Sequence, residues 1–218
     1  MRSILIDWII EVHFQFKLKT ESLFLTINMI DRYLEKIMVT KENLQLVGVS
    51  AMLIACKYEE IWPPLIKDYI HMCDNAYDKE QIINMELSML AELDFNVDFV
   101  SSNCFLERFV QITKADKMTH HLAQYMIEIS MLDYSSIHLK PSYLAMSALY
   151  LAKKIMNSSH PWSKKLAQVT NYSEKFVVTL SQVLLKLLKS YQKPNNTHLV
   201  GLKKKFSTEQ FSNISSYF

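Results

Sequence analysis

A charged cluster, Lys57 to Glu60, directly follows a long run of apolar and small residues between positions 44 and 56. A helix that is apolar on every side must be buried on every side, and small residues such as Gly48 and Ala55 let neighbouring helices pack closely. The run therefore predicts the central helix of a helical domain. The lysine and glutamates emerge where that helix reaches the surface, which makes the cluster the first candidate for a binding site.

The side chains that most often carry enzymatic chemistry lack the patterns that catalysis needs. The sequence contains no glycine-rich phosphate loop, no HExxH motif and no nucleophile elbow. His120 and His121 are adjacent on a predicted helix, so their side chains diverge by about 100 degrees and make a poor metal pair. Cys56, Cys73 and Cys104 show no paired zinc or disulfide spacing, and their apolar surroundings predict buried thiols. We expect no metal and no cofactor.

The first helix carries more apolar residues than one buried face requires. One apolar face has the i, i+3, i+4, i+7 spacing, and a second lies beside it. The first face consists of Met1, Ile4, Leu5 and Trp8, and the second of Ile6, Ile9 and Ile10. Two interpretations stay open: the helix is enclosed, which periodicity alone favours, or one face is an exposed groove that ends at Glu11. Such a groove suits a short ligand with a basic residue and a leucine.

The composition favours an all-α protein. Half of the 218 residues are hydrophobic, and two glycines and five prolines leave little for hairpin turns. The net charge, 24 minus 22 or +2, is too small to indicate nucleic acid or a membrane surface as partner. No apolar run reaches the roughly 18 residues of a membrane span, and no signal-peptide pattern opens the chain. We therefore expect a soluble protein of the nucleus or cytoplasm.

The two halves of the chain repeat each other at an offset of 97 positions. This internal repeat predicts two similar helical units, joined by the segment DFNVDFVSSN at 94–103. The repeated residues are Ser50, Ala51, Ala55 and Lys57, which recur as Ser147, Ala148, Ala152 and Lys154.

Polar residues mark the expected helix starts. Thr20, Thr40 and Ser173 each precede an apolar-periodic segment. Asp78, with Gln81 three residues later, has the spacing of a capping box.

Several motifs, in order and correctly spaced, resemble the cyclin box of a mitotic cyclin. They are MRSILIDWIIEV, LTINMIDRYL, LQLVGVSAMLIACKYEEIWPP, DNAYDKEQIINME and FLERF, and MLDYSSIHLKPSYLAMSAL is most similar to the B-type. The resemblance implies tandem cyclin folds, two five-helix units plus a short C-terminal tail. The implied divisions are an N-terminal cyclin box at 1–98, a C-terminal cyclin fold at 99–191 and a tail at 192–218. Because Met1 already lies inside the first motif, we expect a fragment or an unusually short member.

The resemblance implies a surface that binds a cyclin-dependent kinase. Lys57 and Glu86 correspond to polar anchors, set at opposed points, that bond backbone groups of the kinase's regulatory helix. Without the resemblance, Lys57 is interpreted as a cation that stabilises the C-terminus of its helix, and Glu86 as a solvated charge. The remaining implied apolar contacts, each of which could equally be a core residue, are Tyr58, Ile61, Leu90 and Phe95. The acidic residues Glu59 and Glu60 either contact the kinase or cap the surface of the helix.

Two further sets of residues match the family. The resemblance identifies the groove on the first helix as a docking patch for substrates or inhibitors with an Arg-x-Leu motif. Arg2 and Asp31 correspond to a structural salt bridge between the first and second helices. The implied docking residues are Met1, Ile4, Leu5, Trp8, Glu11 and Gln45.

These matches imply a non-catalytic regulatory subunit that binds and activates a cyclin-dependent kinase, a Ser/Thr protein kinase, by positioning its regulatory helix and activation loop. It would help to recruit substrates and control G2/M progression, in the nucleus and cytoplasm. Two alternatives stay open: a cyclin-fold scaffold that activates no kinase, and a tandem cyclin-fold transcription factor, for which a basic stripe is missing. The pair Lys153–Lys154 and the run Lys203–Lys205 are expected to be solvated rather than localisation signals.

Overall fold

The computed structural model describes residues 1–192 and 199–217 of the chain. Within these ranges the regular structure is helical and no strand occurs, so the expected all-α class is confirmed. Backbone contacts divide the chain into two compact units, Met1–Phe99 and Val100–Phe218. None of the described helices is both long and apolar enough to cross a membrane.

The first unit is built around one central helix, α3. Every residue of α3 from Leu46 to Cys56 is buried, and α1, α2, α4 and α5 all pack against it. The predicted central helix is therefore confirmed. The helices of this unit are α1 (Arg2–Gln15), α2 (Thr20–Lys36), α3 (Leu44–Glu59), α4 (Ile66–Met72) and α5 (Lys79–Glu92).

Close packing of α1 on α3 depends on the missing side chain of Gly48. A Cβ atom at this position would lie 2.9 Å from Cδ1 of Leu5 and 3.3 Å from Cδ1 of Ile9. Real Cβ contacts are almost never as short as 2.9 Å, so a larger residue at position 48 would force the Leu5 side chain, and to a smaller extent that of Ile9, to move. Gly48 thus gives the side chains of α1 room to pack directly on α3.

The second unit repeats this arrangement around α8, which begins 97 positions after α3. Residues Ala145–Ala152 of α8 are buried, and α6, α7 and α10 pack on it. The predicted repeat is therefore confirmed, with α3 and α8 as equivalent central helices. The helices of this unit are α6 (Ser102–Thr113), α7 (Lys117–Leu132), α8 (Pro141–Ile155), α9 (Lys164–Thr170), α10 (Glu174–Tyr191) and α11 (Gly201–Phe206).

The helix starts follow the sequence signals only in part. Asp78 and Gln81 form the predicted capping box, and Ser173 caps α10. The predictions for Thr20 and Thr40 were wrong, because Thr20 is already the first residue of α2 and Thr40 precedes a turn that delays α3 until Leu44. In both cases other parts of the unit decide where the helix begins.

The C-terminal segment packs on α7 through a buried ion pair. Nζ of Lys205, on α11, lies 2.7 and 2.8 Å from the two carboxylate oxygens of Glu128. The side chains are 1% and 0% exposed. The prediction that the run Lys203–Lys205 is solvated was therefore wrong for Lys205, while Lys203 is exposed. A run of three lysines does not reveal that one of them faces a buried acid on another helix.

Candidate functional site

Lys57 and Glu86 form a direct ion pair between the end of α3 and the middle of α5. Nζ of Lys57 donates to both carboxylate oxygens of Glu86, at 2.7 and 2.8 Å. The lysine side chain is 48% exposed, whereas that of the glutamate is only 11% exposed. The two residues therefore lie side by side rather than at opposed points, with the carboxylate beneath and the ammonium facing solvent.

Exposed apolar side chains follow both partners of this pair along the chain. Tyr58 directly follows Lys57 and Ile61 comes four positions after it, and both are exposed, while Leu90 lies one turn after Glu86 and is half-buried. Exposure of large apolar groups next to a fixed charge is typical of an interaction surface.

Two exposed apolar residues of this region were missed from the sequence. Leu87 follows Glu86 and is 58% exposed, and Trp62 follows Ile61 and is 90% exposed. The helical phase of α5 could have identified Leu87, since Ile82, Glu86 and Met89 define the buried face of that helix. Nothing in the local sequence distinguishes Trp62 from a core tryptophan.

Phe95 is held out from the unit by an unusual turn after α5. Asp94 and Phe95 both adopt left-handed backbone conformations, with φ of 53° and 55°. The turn is fixed by the Phe95 amide, which donates to the carbonyl of Leu90 at 2.8 Å, and by Arg32, which donates to the carbonyl of Asn96 at 2.8 Å. A left-handed phenylalanine costs roughly 1–2 kcal/mol, so the surrounding bonds hold this ring in place. The ring is 68% exposed.

Glu60 is engaged within the unit. Its carboxylate accepts hydrogen bonds from the backbone amide of Lys19, at 2.7 Å, and from the hydroxyl of Ser22. It thereby caps the start of α2, the position at which Thr20 was expected to act. The backbone carbonyl of Glu59 accepts a bond from Nζ of Lys19 at 2.7 Å. For Glu60 these contacts are those of a structural cap, whereas the contact at Glu59 involves its backbone and leaves both interpretations of its carboxylate open.

The outer face of α1 is accessible to solvent at its first turn and only partly accessible further along the helix. Met1 and Ile4 are exposed, Trp8, Glu11 and Gln45 are half-buried, and Leu5 is buried against α3. The second apolar face, with Ile6, Ile9 and Ile10, belongs to the core. The sequence left two interpretations of α1 open, a fully enclosed helix or a helix with one exposed apolar face. In this unit by itself α1 is not fully enclosed, because large apolar side chains remain accessible.

Arg2 and Asp31 join α1 to α2 by a two-pronged salt bridge. Nε and Nη2 of Arg2 donate to the two oxygens of Asp31 at 2.6 and 2.7 Å. Both side chains are mostly buried, so their removal from water is offset by two charge-assisted bonds. The pair fixes the angle at which α1 crosses the unit.

We expect Asp31→Ala to lower the free energy of unfolding by about 3 kcal/mol, because it leaves a mostly buried guanidinium without its carboxylate. Asp31→Asn keeps the shape and one acceptor, so it should cost less. Urea denaturation followed by circular dichroism measures both. A loss below about 0.5 kcal/mol for Asp31→Ala would show that this bridge does not hold α1 in place.

The histidines and cysteines provide no metal centre among the described residues, where no group of three possible ligands occurs. Nε2 of His120 lies 2.7 Å from Oε1 of Glu107, and Nδ1 of His121 lies 2.9 Å from Oγ of Ser212. Burial lowers the pKa of His121, and the neighbouring His120 and Lys117 lower it further. The two rings therefore serve separate contacts within the second unit.

The prediction of buried thiols holds for two of the three cysteines. Cys56 and Cys73 are buried, and burial raises the pKa of each to about 11, so neither is a reactive thiolate near neutral pH. The prediction was wrong for Cys104, which is exposed. Its position on α6 falls outside the buried face formed by Leu106 and Phe109.

Comparisons with known proteins agree with this geometry. The family model for the N-terminal cyclin domain matches residues 1–98, and the model for the C-terminal cyclin domain matches residues 100–217. The chain is 39% identical over 211 residues to Cyclin-B2-2 of Oryza sativa subsp. indica, covering 97% of this chain and 50% of that protein. It is 40% identical over 216 residues to the G2/mitotic-specific cyclin-B of Patella vulgata, covering 99% and 52%. The chain thus spans about half the length of these relatives.

The fold is also shared with a solved structure. The X-ray structure of a viral cyclin from herpesvirus saimiri superimposes with a TM-score of 0.77 at 21% identity, covering 86% of this chain and 84% of that one. Two family models together cover nearly all of the sequence, and the two units have the repeated architecture that those models describe. The chain therefore belongs to the cyclin family, and mitotic B-type cyclins are among its relatives.

Proposed function

We propose that this chain is a non-catalytic regulatory subunit that binds and activates a cyclin-dependent kinase in the control of G2/M progression. The observation that carries the proposal is the Lys57–Glu86 ion pair at the edge of exposed apolar side chains. Membership of the cyclin family, and relatives named as G2/mitotic-specific cyclins, support the same activity.

The ion pair is suited to orient a partner helix. An ammonium carries three N–H groups, and Glu86 accepts from the Lys57 ammonium through both carboxylate oxygens. The half-exposed ammonium can still donate to a backbone carbonyl of a docking helix. Because Glu86 already holds the lysine side chain, little further conformational entropy is lost on binding. A preorganised charge of this kind fixes the rotation of the helix, which a purely apolar surface does not.

Affinity must come mainly from apolar contact. Moving a kinase from 1:99 to 99:1 in favour of its active state requires about 5.5 kcal/mol of differential binding. Surface ion pairs contribute only about 0–1 kcal/mol each, so they are insufficient. We therefore assign the larger share to Tyr58, Ile61, Leu87 and Phe95, in an interface of at least the standard ~1,600 Å².

The proposed mechanism is a population shift in the kinase. Docking favours the inward position of the kinase's regulatory helix, which forms the Lys–Glu pair that orients the ATP phosphates. The same contact helps to open the activation loop. The present chain supplies no catalytic group to this reaction; it changes which state of the kinase is populated.

Activation of a purified cyclin-dependent kinase tests this function directly. The full chain is added to each member of a panel of such kinases, and phosphate transfer to a simple peptide is measured. Stimulation of at least one kinase is expected. Binding without stimulation would favour the scaffold alternative, and salt-dependent binding of duplex DNA with no kinase binding would favour the transcription-factor alternative.

The accessible face of α1 is proposed to dock Arg-x-Leu motifs of substrates or inhibitors. Met1, Ile4 and Trp8 provide apolar contact for the leucine, and Glu11 provides a carboxylate for the arginine. Gln45, near the start of α3, can bond the ligand backbone. We also propose that the protein works in the nucleus and cytoplasm, with no nucleic acid and no membrane as partner.

Trp8→Ala is expected to weaken phosphorylation of an Arg-x-Leu substrate by roughly 30-fold in kcat/KM, because a central interface aromatic typically contributes about 2 kcal/mol. Phosphorylation of a simple peptide without the motif should be unchanged. Tyr134→Ala, which removes an exposed aromatic of the second unit, is the matched control. Equal losses on both substrates would mean that Trp8 supports folding or activation rather than docking.

A further inference from the structure

The small net charge of the chain conceals a strong division between its two units. Residues 1–99 contain 9 Lys and Arg against 16 Asp and Glu, a net charge of −7, whereas residues 100–218 contain 15 against 6, a net charge of +9. The whole-chain value of +2 therefore says little about either surface. A unit with a charge of +9 attracts anionic partners even where the complete chain is nearly neutral.

Most carboxylates of the second unit are already engaged. Glu128 is buried against Lys205, and Glu107 faces His120. Asp116 and Asp133 accept backbone hydrogen bonds as helix caps. Glu128 and Glu107 are thus paired within the unit, and Asp116 is the acid that remains close to the lysines at the start of α7.

Four lysines lie at one end of the unit, which we call the basic end: Lys114, Lys117 and Lys154, which are exposed, and Lys153, which is half-buried. Lys114 follows α6 and Lys117 opens α7, while the other two lie in the last turn of α8. Because α7 and α8 pack together and are joined only by the short segment 133–140, they run in opposite directions, and the end of α8 lies beside the start of α7. Burial of the ammonium lowers the pKa of Lys153, whereas Asp116 raises it, in agreement with this placement. Among the described residues, no carboxylate oxygen lies within 4.0 Å of any of these four ammonium groups.

The internal repeat explains part of this surplus charge. Lys154 is the counterpart of Lys57 at the offset of 97, and the counterpart of Glu86 at the same offset is Val183. The first unit thus pairs this lysine with a carboxylate, whereas the second unit replaces the carboxylate with an apolar side chain. Lys154 is left exposed and without the ion pair that its counterpart has.

We propose that the basic end binds an extended, carboxylate-rich segment of a partner protein. Carboxylates on flexible side chains can each reach a lysine at irregular spacing, whereas phosphates of duplex DNA follow one another at about 1.7 Å per charge. A flexible peptide can place its carboxylates on the lysines and keep them away from Asp116, whereas a rigid duplex has fixed phosphate positions. Single strands need aromatic rings for stacking, and segments 113–117 and 153–157 contain none. All residues of the proposal lie on the second unit, so it does not depend on the kinase contact.

Fluorescence anisotropy with a labelled poly-glutamate peptide and the full chain tests the proposal. Lys117→Gln, Lys153→Gln and Lys154→Gln are combined in one variant, and we expect its affinity to fall at least roughly tenfold, since each exposed ionic contact adds a modest increment. The matched control combines Lys140→Gln, Lys175→Gln and Lys203→Gln. It removes the same charge from exposed positions outside the basic end and should lose less than about threefold. Thermal melts of both variants verify folding.

Three results would overturn the proposal. The first is that the unaltered chain does not bind poly-glutamate at roughly 50 mM salt, where electrostatic contacts are strongest. The second is an equal loss in both triple variants, which would mean that only total charge matters. The third is tighter binding of duplex DNA or of phosphatidylserine vesicles than of the peptide, which would assign the basic end to another class of partner. In each case kinase activation by the basic-end variant is measured separately, so a failure of the proposed function is distinguishable.

Discussion

Replacing Lys57 and Glu86 together with alanine should weaken binding of a cyclin-dependent kinase by roughly 30-fold, because truncating one charged anchor that is fully desolvated in the complex typically costs about 2 kcal/mol, more than an ion pair left exposed to water contributes. The double change removes the preorganised ammonium and the carboxylate that holds it. It also avoids leaving a mostly buried Glu86 without a partner, which would destabilise the first unit and obscure the result. Isothermal titration with the purified kinase subunit measures the affinity, and circular dichroism measures the helical content.

Lys41→Ala with Glu42→Ala is the matched control for this experiment. It removes one lysine and one glutamate from exposed positions of the same unit, in the turn between α2 and α3. Affinity for the kinase should change less than threefold. Retained binding in the Lys57/Glu86 double variant, with helical content intact, would remove this pair from the kinase interface.

Lys205→Met is expected to lower the free energy of unfolding of the second unit by about 3–5 kcal/mol, since it leaves Glu128 as an uncompensated buried charge. The lysine also lies 5.4 Å from the ring centroids of both Phe206 and Phe211, and these cation–π contacts are lost as well. Marginal domain stability, about 5–15 kcal/mol, makes this a large fraction of the total. Urea denaturation measures the loss, and hydrogen exchange of α7 and α11 locates it.

A second variant distinguishes a lost ion pair from a general packing defect. Glu128→Met combined with Lys205→Met replaces both charges with apolar groups of similar volume and should recover most of the stability. It leaves Nε2 of Gln124 without its acceptor at 3.2 Å, so a residual cost of about 1 kcal/mol is expected. Lys203→Met, at an exposed neighbour in the same run, should change stability by less than about 0.5 kcal/mol. Equal losses for Lys203→Met and Lys205→Met would contradict the role assigned to the buried pair.

The features predicted from sequence are those that depend on local pattern. The continuous apolar run of α3 requires burial on all sides, and the structure buries Leu46 to Cys56 completely. The offset of 97 follows from matching small residues on two central helices, because only small residues allow neighbouring helices to approach. Asp78 and Gln81 cap α5 as predicted, since the capping box is completed within four residues.

The features missed from sequence are contacts between residues far apart in the chain. Glu60 caps α2 from the end of α3, so Thr20 has no capping role. Lys205 is buried because Glu128 faces it from another helix, although its two neighbours in the run are exposed. Arg32, on α2, donates to the carbonyl of Asn96 and so helps to hold the left-handed turn at Asp94 and Phe95.

The sequence by itself determined the all-helical fold, the two repeated units and the family, because periodicity, small residues and ordered motifs are local properties of a chain. Only the tertiary structure decided which charged side chains form ion pairs and which stay exposed to solvent. Lys57 and Lys154 occupy equivalent positions, yet Lys57 bonds Glu86, whereas the position equivalent to Glu86 in the second unit is Val183. Electrostatic interactions depend on distances in space that sequence spacing does not fix. For this reason the binding surfaces of the two units differ although their helices repeat.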